Sequence, residues 1–504
     1  MTLDSDSVVG RRVACDGHRG TVRYDGEIEG AGAGRWLGVE WDEPLRGKHD
    51  GVHQGRKYFD TNHPTAGSFV RLHKVTLGRC CSEALLEHYE SNFEAQLTSF
   101  RTGSSGVLKT AEFVGFDKHL EKISNHHSLQ IVVLSGLAIR DGDSRLSELC
   151  PKVEELDVSK NLLSNVEDLA SIVKQLPRLK TLLISHNLFN SWAGPKEPFA
   201  RIENLVAANM DLEQLEDIAD LFPNLVSLKV PRNRLSNLTY LNLPFLQELD
   251  LEGNQLGSWE AVHSLSKLPN LQILHLNNNR IPSIPVLSQD DFPQLRTLFL
   301  TGNKVSEWAS VSNLDILPSL EELIFKENPV LSAENPETNR QILICRLEKL
   351  KTLDKVCVTA AEKKGAAFDY LKKYGMEFLA CRADPQELNK FLKAHPCYQR
   401  LVDVHGAPEA SEVGGQKKPN LLISVVIKCP QLDQIGQLEK KLPRTMKVQR
   451  LRGLMPKLLP SAPNRLKLSY ICQDKPDIKY EFDNDLKDLA FYSIEDNDSI
   501  LVEW

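Results

Sequence analysis

The chain has 504 residues, 41% hydrophobic and 26% charged, too long for one core and ordinary in composition for a globular protein of two to four domains. Residues 1–78 carry 11 Lys and Arg against 11 Asp and Glu, and residues 419–504 carry 13 against 12, so of the net charge of -7 the middle of the chain carries about -8. That argues against a nucleic-acid scaffold, which needs a basic stripe. No run approaches the roughly 18 apolar residues of a membrane span, the acidic opening is not a secretory signal, and the ten cysteines lack CxxC pairs, so free thiols in the cytoplasm are expected.

Thirteen of the 29 glycines fall in residues 1–78, between short β-type runs at Thr21–Tyr24, Trp36–Trp41, Lys57–Phe59 and Ser68–Arg71. This pattern predicts a small twisted β-barrel with a thin core, whose aromatic residues are candidates for binding. The glycines do not make a nucleotide site. Gly30-x-Gly32-x-Gly34 has the wrong spacing and precedes a strand, and Gly47-Lys48 is followed by His49 rather than Ser or Thr.

Gly20-Thr21-Val22-Arg23-Tyr24, Trp36-x-Gly38-Val39-Glu40, Gly47-Lys48-His49-Asp50-Gly51, Gly55-x-x-Tyr58-Phe59 and Gly67-Ser68-Phe69-Val70 together resemble the CAP-Gly family. The resemblance implies a groove for a C-terminal acidic-acidic-aromatic tail, the ending of α-tubulin, formed by the loop Gly47, Lys48, His49, Asp50 and Gly51 and neighbouring aromatics. In such a groove Lys48 offers a cation to the terminal carboxylate, and Gly47 and Gly51 let backbone N–H groups approach it. Trp36, Trp41 and Phe69 wall a slot for the terminal ring, whose burial is worth roughly 1.5–3 kcal/mol. Arg71, with Arg46 and Arg56, faces the preceding glutamates, each exposed pair adding about 0–1 kcal/mol. His49 stands where the family usually has Asn, and Thr61 where many members have Cys. Trp41 lies five residues from Trp36, on the opposite strand face, which makes a core position an equal reading for it.

A helix over about 82–100 and the stretch Arg101–Gly106 are expected to form a connector, residues 79–119. Over residues 120–330 the pattern Leu-x-Leu-x-x-Asn-x-Leu recurs, with asparagines at 161, 187, 233, 254, 279, 303 and 328 and with Leu137 and Met210 in the same slot. Spacings of 21 to 26 residues are the signature of leucine-rich repeats. Nine such units predict a curved α/β solenoid in which each repeat buries its apolar side against its neighbours and the asparagines bond turn backbone. Its concave face would present Asp157, His186, Lys229, Arg232, Asp250, Glu252, His275, Asn277 and Lys326, a broad mixed-charge surface suited to a folded protein. Helical sequence over 331–404, with Leu347, Leu350 and Leu353, reads as the C-terminal cap and a connector.

Residues 405–419 are polar, bear Gly and Pro, and read as a linker. Residues 420–504 alternate as strand, strand, helix, strand, strand, with the helix from Val448 to Leu459 stopped by Pro460 and Pro463. The order and the ending Leu489-x-x-Tyr492-x-Ile494 to Val502 resemble the ubiquitin-like α+β grasp, without the terminal Gly-Gly of a conjugated modifier.

The multidomain order of small β-barrel, solenoid and β-grasp resembles the tubulin-folding cofactor E family. The resemblance implies a chaperone that captures α-tubulin, meets cofactor D with β-tubulin, releases heterodimer with cofactor C, and takes heterodimer apart with cofactor B. No catalytic motif is found and no cofactor, metal, nucleic acid or membrane is implied; the chain outside the complex is expected to be a cytoplasmic, cytoskeleton-associated monomer. Two alternatives are a microtubule adaptor that reads tails on polymer and a ubiquitin-pathway shuttle for tubulin. The adaptor would normally carry coiled-coil heptads or a basic Ser/Pro-rich arm, and neither is seen.

Overall fold

Six strands open the chain: β1 (Arg12–Cys15), β2 (His18–Gly26), β3 (Trp36–Trp41), the short pair β4 (Val52–His53) and β5 (Arg56–Lys57), and β6 (Gly67–Arg71). In the computed structural model, which describes residues 8–89, 126–409, 422–431, 438–459, 463, 466–473, 478–492 and 494–504, they form an antiparallel sheet β1-β2-β3-β6 and the β4-β5 hairpin. Alternation along β3 divides its residues between two faces. Leu37, Val39 and Trp41 join Val13 and Val22 in a core, leaving Trp36, Gly38 and Glu40 on the other side.

Strand β7 (Arg79–Cys80) then leads into a helical run at 81–89, whose Cys81, Ala84 and Leu85 are fully buried. The rest of the expected helix beyond 89, the stretch Arg101–Gly106, linker residues 410–419 and Pro460 lie outside the described residues.

The repeats fold as nine rungs. Strand β8 (Ile131–Val133) is the first, and a side strand β9 (Ile139–Asp141) pairs in parallel with β7, so residues 79–89 cover the open end of the first rung. The next eight are β10 (Glu155–Asp157), β11 (Thr181–Leu183), β12 (Asn204–Val206), β13 (Ser227–Lys229), β14 (Glu248–Asp250), β15 (Ile273–His275), β16 (Thr297–Phe299) and β17 (Glu322–Ile324). All pair in parallel and in register. Leu156, Leu182, Leu205, Leu228, Leu249, Leu274, Leu298 and Leu323 therefore stack as one buried row.

The row continues through Leu353 of β18 (Thr352–Leu353), and the antiparallel β19 (Val356–Cys357) ends the sheet. Helices Pro336–Arg346, Ala360–Cys381, Pro385–Ala394 and Tyr398–His405 follow the pattern of buried Leu347, Leu350 and Leu353 anticipated for the cap.

Each asparagine ties two rungs together. Asn233 Oδ1 accepts from the Met210 and Leu212 N–H groups at 2.8 and 3.2 Å, and its Nδ2 donates to the Ala207 and Val230 carbonyls at 2.9 and 3.0 Å. Asn161 bonds in the same way to Leu137, Ile139, Leu134 and Val158. The residue before each slot takes a left-handed conformation, from Gly136, Lys160, His186, Asn209 and Arg232 to Gly253, Asn278, Gly302 and Glu327. This turn is what aims the next side chain inward. It recurs with Lys, His, Arg and Glu, as well as with the more tolerant Gly and Asn, only because stacking holds it.

The last part of the chain is a separate unit. Strands β20 (Leu422–Lys428), β21 (Leu438–Pro443), β22 (Lys467–Ile471), β23 (Tyr480–Glu481) and β24 (Ser499–Glu503) form a sheet ordered β21-β20-β24-β22-β23, with β20 and β24 parallel. The helix Val448–Leu458 buries Val448, Leu451 and Met455 against Ile423, Val425, Leu468 and Ile500, the stripe read from its spacing. Pro456 lies inside this helix, in its last turn.

Candidate functional site

The loop 47–51 is shaped by close backbone approach. A Cβ on Gly47 would stand 2.2 Å from the Thr65 carbonyl oxygen, and one on Gly51, at φ +92°, would stand 2.0 Å from that of Phe59. Only glycine fits either place. The Lys48 N–H donates to the Gly67 carbonyl at 2.7 Å, His49 N–H to the same oxygen at 3.2 Å, and Gly67 N–H to the His49 carbonyl at 2.7 Å, which staples the loop to the start of β6.

This changes the role anticipated for the glycines. The N–H groups of Lys48, His49 and Gly51 are spent inside the module, the last on His49 Nδ1 at 3.0 Å. The Lys48 ammonium is exposed and has no ion pair or hydrogen bond among the described residues. Asp50 beside it is also exposed.

His49 reproduces what an amide side chain would do at this position, accepting from a backbone N–H two residues on. Its ring lies 4.8 Å from that of Phe69, tilted by 30°. Burial pushes its pKa below the ordinary 6.5, opposed by the Asp50 carboxylate and assisted by the His53 and Lys48 charges.

Phe69 is the hub of an aromatic nest. Tyr58 and Phe59 meet it edge-on at 5.6 and 5.4 Å, Tyr24 at 6.4 Å and His53 at 6.0 Å. Gly38 makes room for this nest, since a Cβ there would stand 2.4 Å from the Phe59 ring. Tyr24, His53, Tyr58 and Phe59 were not among the anticipated site residues, although Gly55-x-x-Tyr58-Phe59 carried a signal for two of them.

Trp36 is half-buried, and the Arg71 guanidinium stacks 3.8 Å above its ring while donating to the Ala33 carbonyl at 3.1 Å. These two residues share the face that carries the nest. Trp41 does not belong there. It is 3% exposed in the module's core, because five residues along a strand reverse the face, and this corrects its assignment to the tail slot. Of the three arginines, Arg71 stacks on Trp36, Arg56 pairs with Glu29 at 3.0 Å, and Arg46 sits over Trp41 at 5.0 Å. Thr61 donates to the His63 carbonyl at 2.8 Å, a turn-closing bond.

On the solenoid, Asp157, Lys229, Asp250 and His275 end their rung strands, and His186 and Arg232 stand in the turns that follow. Glu248 accepts from Lys229 at 3.0 Å and approaches His275 at 3.5 Å, and His275 stacks flat on Phe299 at 4.0 Å. Burial raises the pKa of the neighbouring Asp250 carboxyl. Among the described residues no group of three or more His, Cys, Asp or Glu could hold a metal ion, and no helix is long and apolar enough to cross a membrane.

Comparison with known proteins agrees with this architecture. A CAP-Gly domain model matches residues 9–75, a leucine-rich repeat model residues 245–380, and a ubiquitin-like domain model residues 422–503. The tubulin-specific chaperone E of Danio rerio is 38% identical over 522 residues, covering 99% of this chain and 99% of the relative. That of Homo sapiens is 35% identical over 534 residues, covering 100% and 99%. The solution structure of the C-terminal ubiquitin-like domain of mouse tubulin-specific chaperone E is 38% identical and covers 18% of this chain and 94% of that one, with a TM-score of 0.16. The chain belongs to the tubulin-specific chaperone E family.

Proposed function

We propose that this chaperone handles α-tubulin at two places, taking the acidic-acidic-aromatic C-terminal tail on the N-terminal module and the folded body on the solenoid's concave face. Work on tubulin folding follows from the family. The division of labour rests on one observation: a Lys48 ammonium with no partner among the described residues stands on a glycine-built loop beside a nest of aromatic rings centred on Phe69. The cation meets a terminal carboxylate and the rings meet the terminal side chain, while Trp36 and Arg71 line the same face. Each contact is modest. Joining them through one ligand makes the second contact effectively intramolecular, so weak affinities combine.

In this reading the chain acts in the cytoplasm with cofactors B, C and D and β-tubulin, in both assembly and disassembly of the heterodimer, and contributes no catalytic group. The test is a titration of the full chain with a labelled peptide ending Glu-Glu-Tyr, beside the same peptide amidated at its C-terminus. Saturable binding that is lost on amidation supports the reading. Equal curves for the two peptides remove the terminal carboxylate, and with it the role of Lys48.

A further inference from the structure

The N-terminal module is fastened to the solenoid at three places. At the junction, Thr76 is still bonded to Ala14 of β1 in both directions, at 2.8 and 3.0 Å. Three residues on, Arg79 N–H already donates to the Ala138 carbonyl at 3.0 Å and its Nε to that of Leu137 at 2.9 Å. Only Leu77 and Gly78 lie between the two parts. The other two places are on the third rung, after β11. Arg19 Nη1 donates to the His186 carbonyl at 2.6 Å, and Asn190 Nδ2 donates to the Gly10 carbonyl at 3.0 Å. Strands about 4.8 Å apart put the third rung roughly 10 Å along the solenoid from the first, where the junction is made.

Both ends of the Arg19 bond are prepared. Within the module, buried Arg12 holds the Asp42 carboxylate in a two-armed pair, and Asp42 N–H donates to the Arg19 carbonyl at 3.0 Å, which ties the backbone under Arg19 to the core. Arg19 itself is half-buried, and the Asp42 and Glu43 carboxylates offset the desolvation of its charge. In the solenoid, His186 takes a left-handed turn at φ +60° ahead of the ladder residue Asn187. Among the described residues no backbone N–H donates to the His186 carbonyl, and Arg19 satisfies it.

Between the bonded points the two parts leave a space of about 810 Å³, lined by charged groups of both, Glu40 and Asp42 on one side and Asp211 and Arg232 on the other. Directed bonds, more than packing, therefore set the angle of the module. Lys48, Trp36, Phe69 and Arg71 do not line this space, so the docking leaves the tail face open.

We infer that Arg19 is a positioning residue: by fastening the N-terminal module to the third rung it holds the tail site at a set distance and angle from the concave face, so that one α-tubulin is gripped at both places at once. This deepens the two-place reading above and rests on it. A module free to tilt about Leu77 and Gly78 would spread the tail site over many positions, and the second contact would form at a lower effective concentration. A ligand that touches one part alone does not sense the bond.

The experiment titrates three ligands onto the full chain: the Glu-Glu-Tyr peptide, α/β-tubulin, and α/β-tubulin whose tails have been clipped by proteolysis. The natural chain should bind intact tubulin more tightly than the clipped form. In Arg19→Ala the affinity for intact tubulin should fall about threefold to tenfold, with the peptide and clipped tubulin unchanged. Asn190 is exposed, and Asn190→Ala, made from the solenoid's side, should give a smaller loss of the same kind. Arg19→Lys keeps a donor of similar reach and should restore part of the affinity. If the ratio of intact to clipped affinity is unchanged in both alanine variants, these bonds do not position the module, and the two-place reading stands without them. A loss for the peptide in Arg19→Ala would make Arg19 a support of the tail groove itself and overturn the positioning role. If the natural chain binds intact and clipped tubulin alike, the two-place reading falls, and the role of Arg19 with it.

Discussion

The asparagines of the solenoid and the Lys48 loop of the N-terminal module are both polar motif positions, yet they answer to opposite rules. Asn233 is 5% exposed and its amide is satisfied by four backbone groups from two rungs. Lys48 is exposed, has no partner among the described residues, and sits on a loop whose flanking glycines pack closely on the Thr65 and Phe59 backbone. A polar group that is buried and completely bonded contributes to the fold; one held out unbonded beside half-buried rings is available to a ligand. Substitutions should separate the two regions by which readout they move.

The largest effect is expected in the ladder. Asn233→Ala leaves two N–H groups and two carbonyls buried without their partner, which should cost about 2–4 kcal/mol in a urea titration followed by far-ultraviolet ellipticity. Binding of the short tail peptide should be untouched. A cost below about 1 kcal/mol would mean that neighbouring groups replace the amide, and the contrast with Lys48 would weaken.

Gly51→Ala should act on the other region alone. The new Cβ meets the Phe59 carbonyl oxygen and the backbone stays at φ +92°, so a loss of about 1–3 kcal/mol is expected, confined to the N-terminal module. Amide exchange should speed up in β3 and β6 and not in β13 or β14, and tail binding should disappear. Equal protection in both regions would show that the loop tolerates the side chain.

Much of this contrast is legible in the amino-acid sequence. The spacing of 21 to 26 residues identifies the rungs, because a stacked repeat must return to the same place each turn. The glycine loop is legible because few motifs place Gly-Lys-x-Asp-Gly between strands. Trp41 stands balanced between groove and core in the sequence, and the face of β3 decides it. The consumption of the loop's N–H groups has no sequence signal, since it depends on Gly67 lying opposite Lys48 and His49. Residues 82–89 read as a helix, but what that helix covers does not follow from its pattern. The contact between the N-terminal module and the solenoid is out of reach altogether, because Arg19 and the His186 carbonyl that it binds are 167 residues apart.

Lys48→Ala should sharpen the comparison from the ligand's side. Affinity for the Glu-Glu-Tyr peptide should fall about threefold to fivefold, the scale of one exposed charge contact, while the urea midpoint stays fixed. If stability moved and affinity did not, Lys48 would belong with the asparagines.

The smallest effect lies in the pH dependence of His49, where fold and site meet. Its Nδ1 accepts from Gly51 N–H, so the bonded form is the neutral ring. The folded pKa lies below the ordinary 6.5. The contribution of neutral His49 is then fully present above pH 6.5 and fades as pH falls through the folded value. Protonation also places a cation near the tail's carboxylate, which would favour binding by about 0–1 kcal/mol, against the loss of a partly buried hydrogen bond worth about 1–3 kcal/mol. The bond should win, so natural tail affinity should hold above pH 6.5 and drop as pH falls below it through the folded value. His49→Asn keeps an acceptor but does not titrate and should give a flatter curve. Tighter binding at the acid end in the natural chain, absent from the Asn variant, would reverse this assignment and make His49 a ligand contact rather than a strut of the loop.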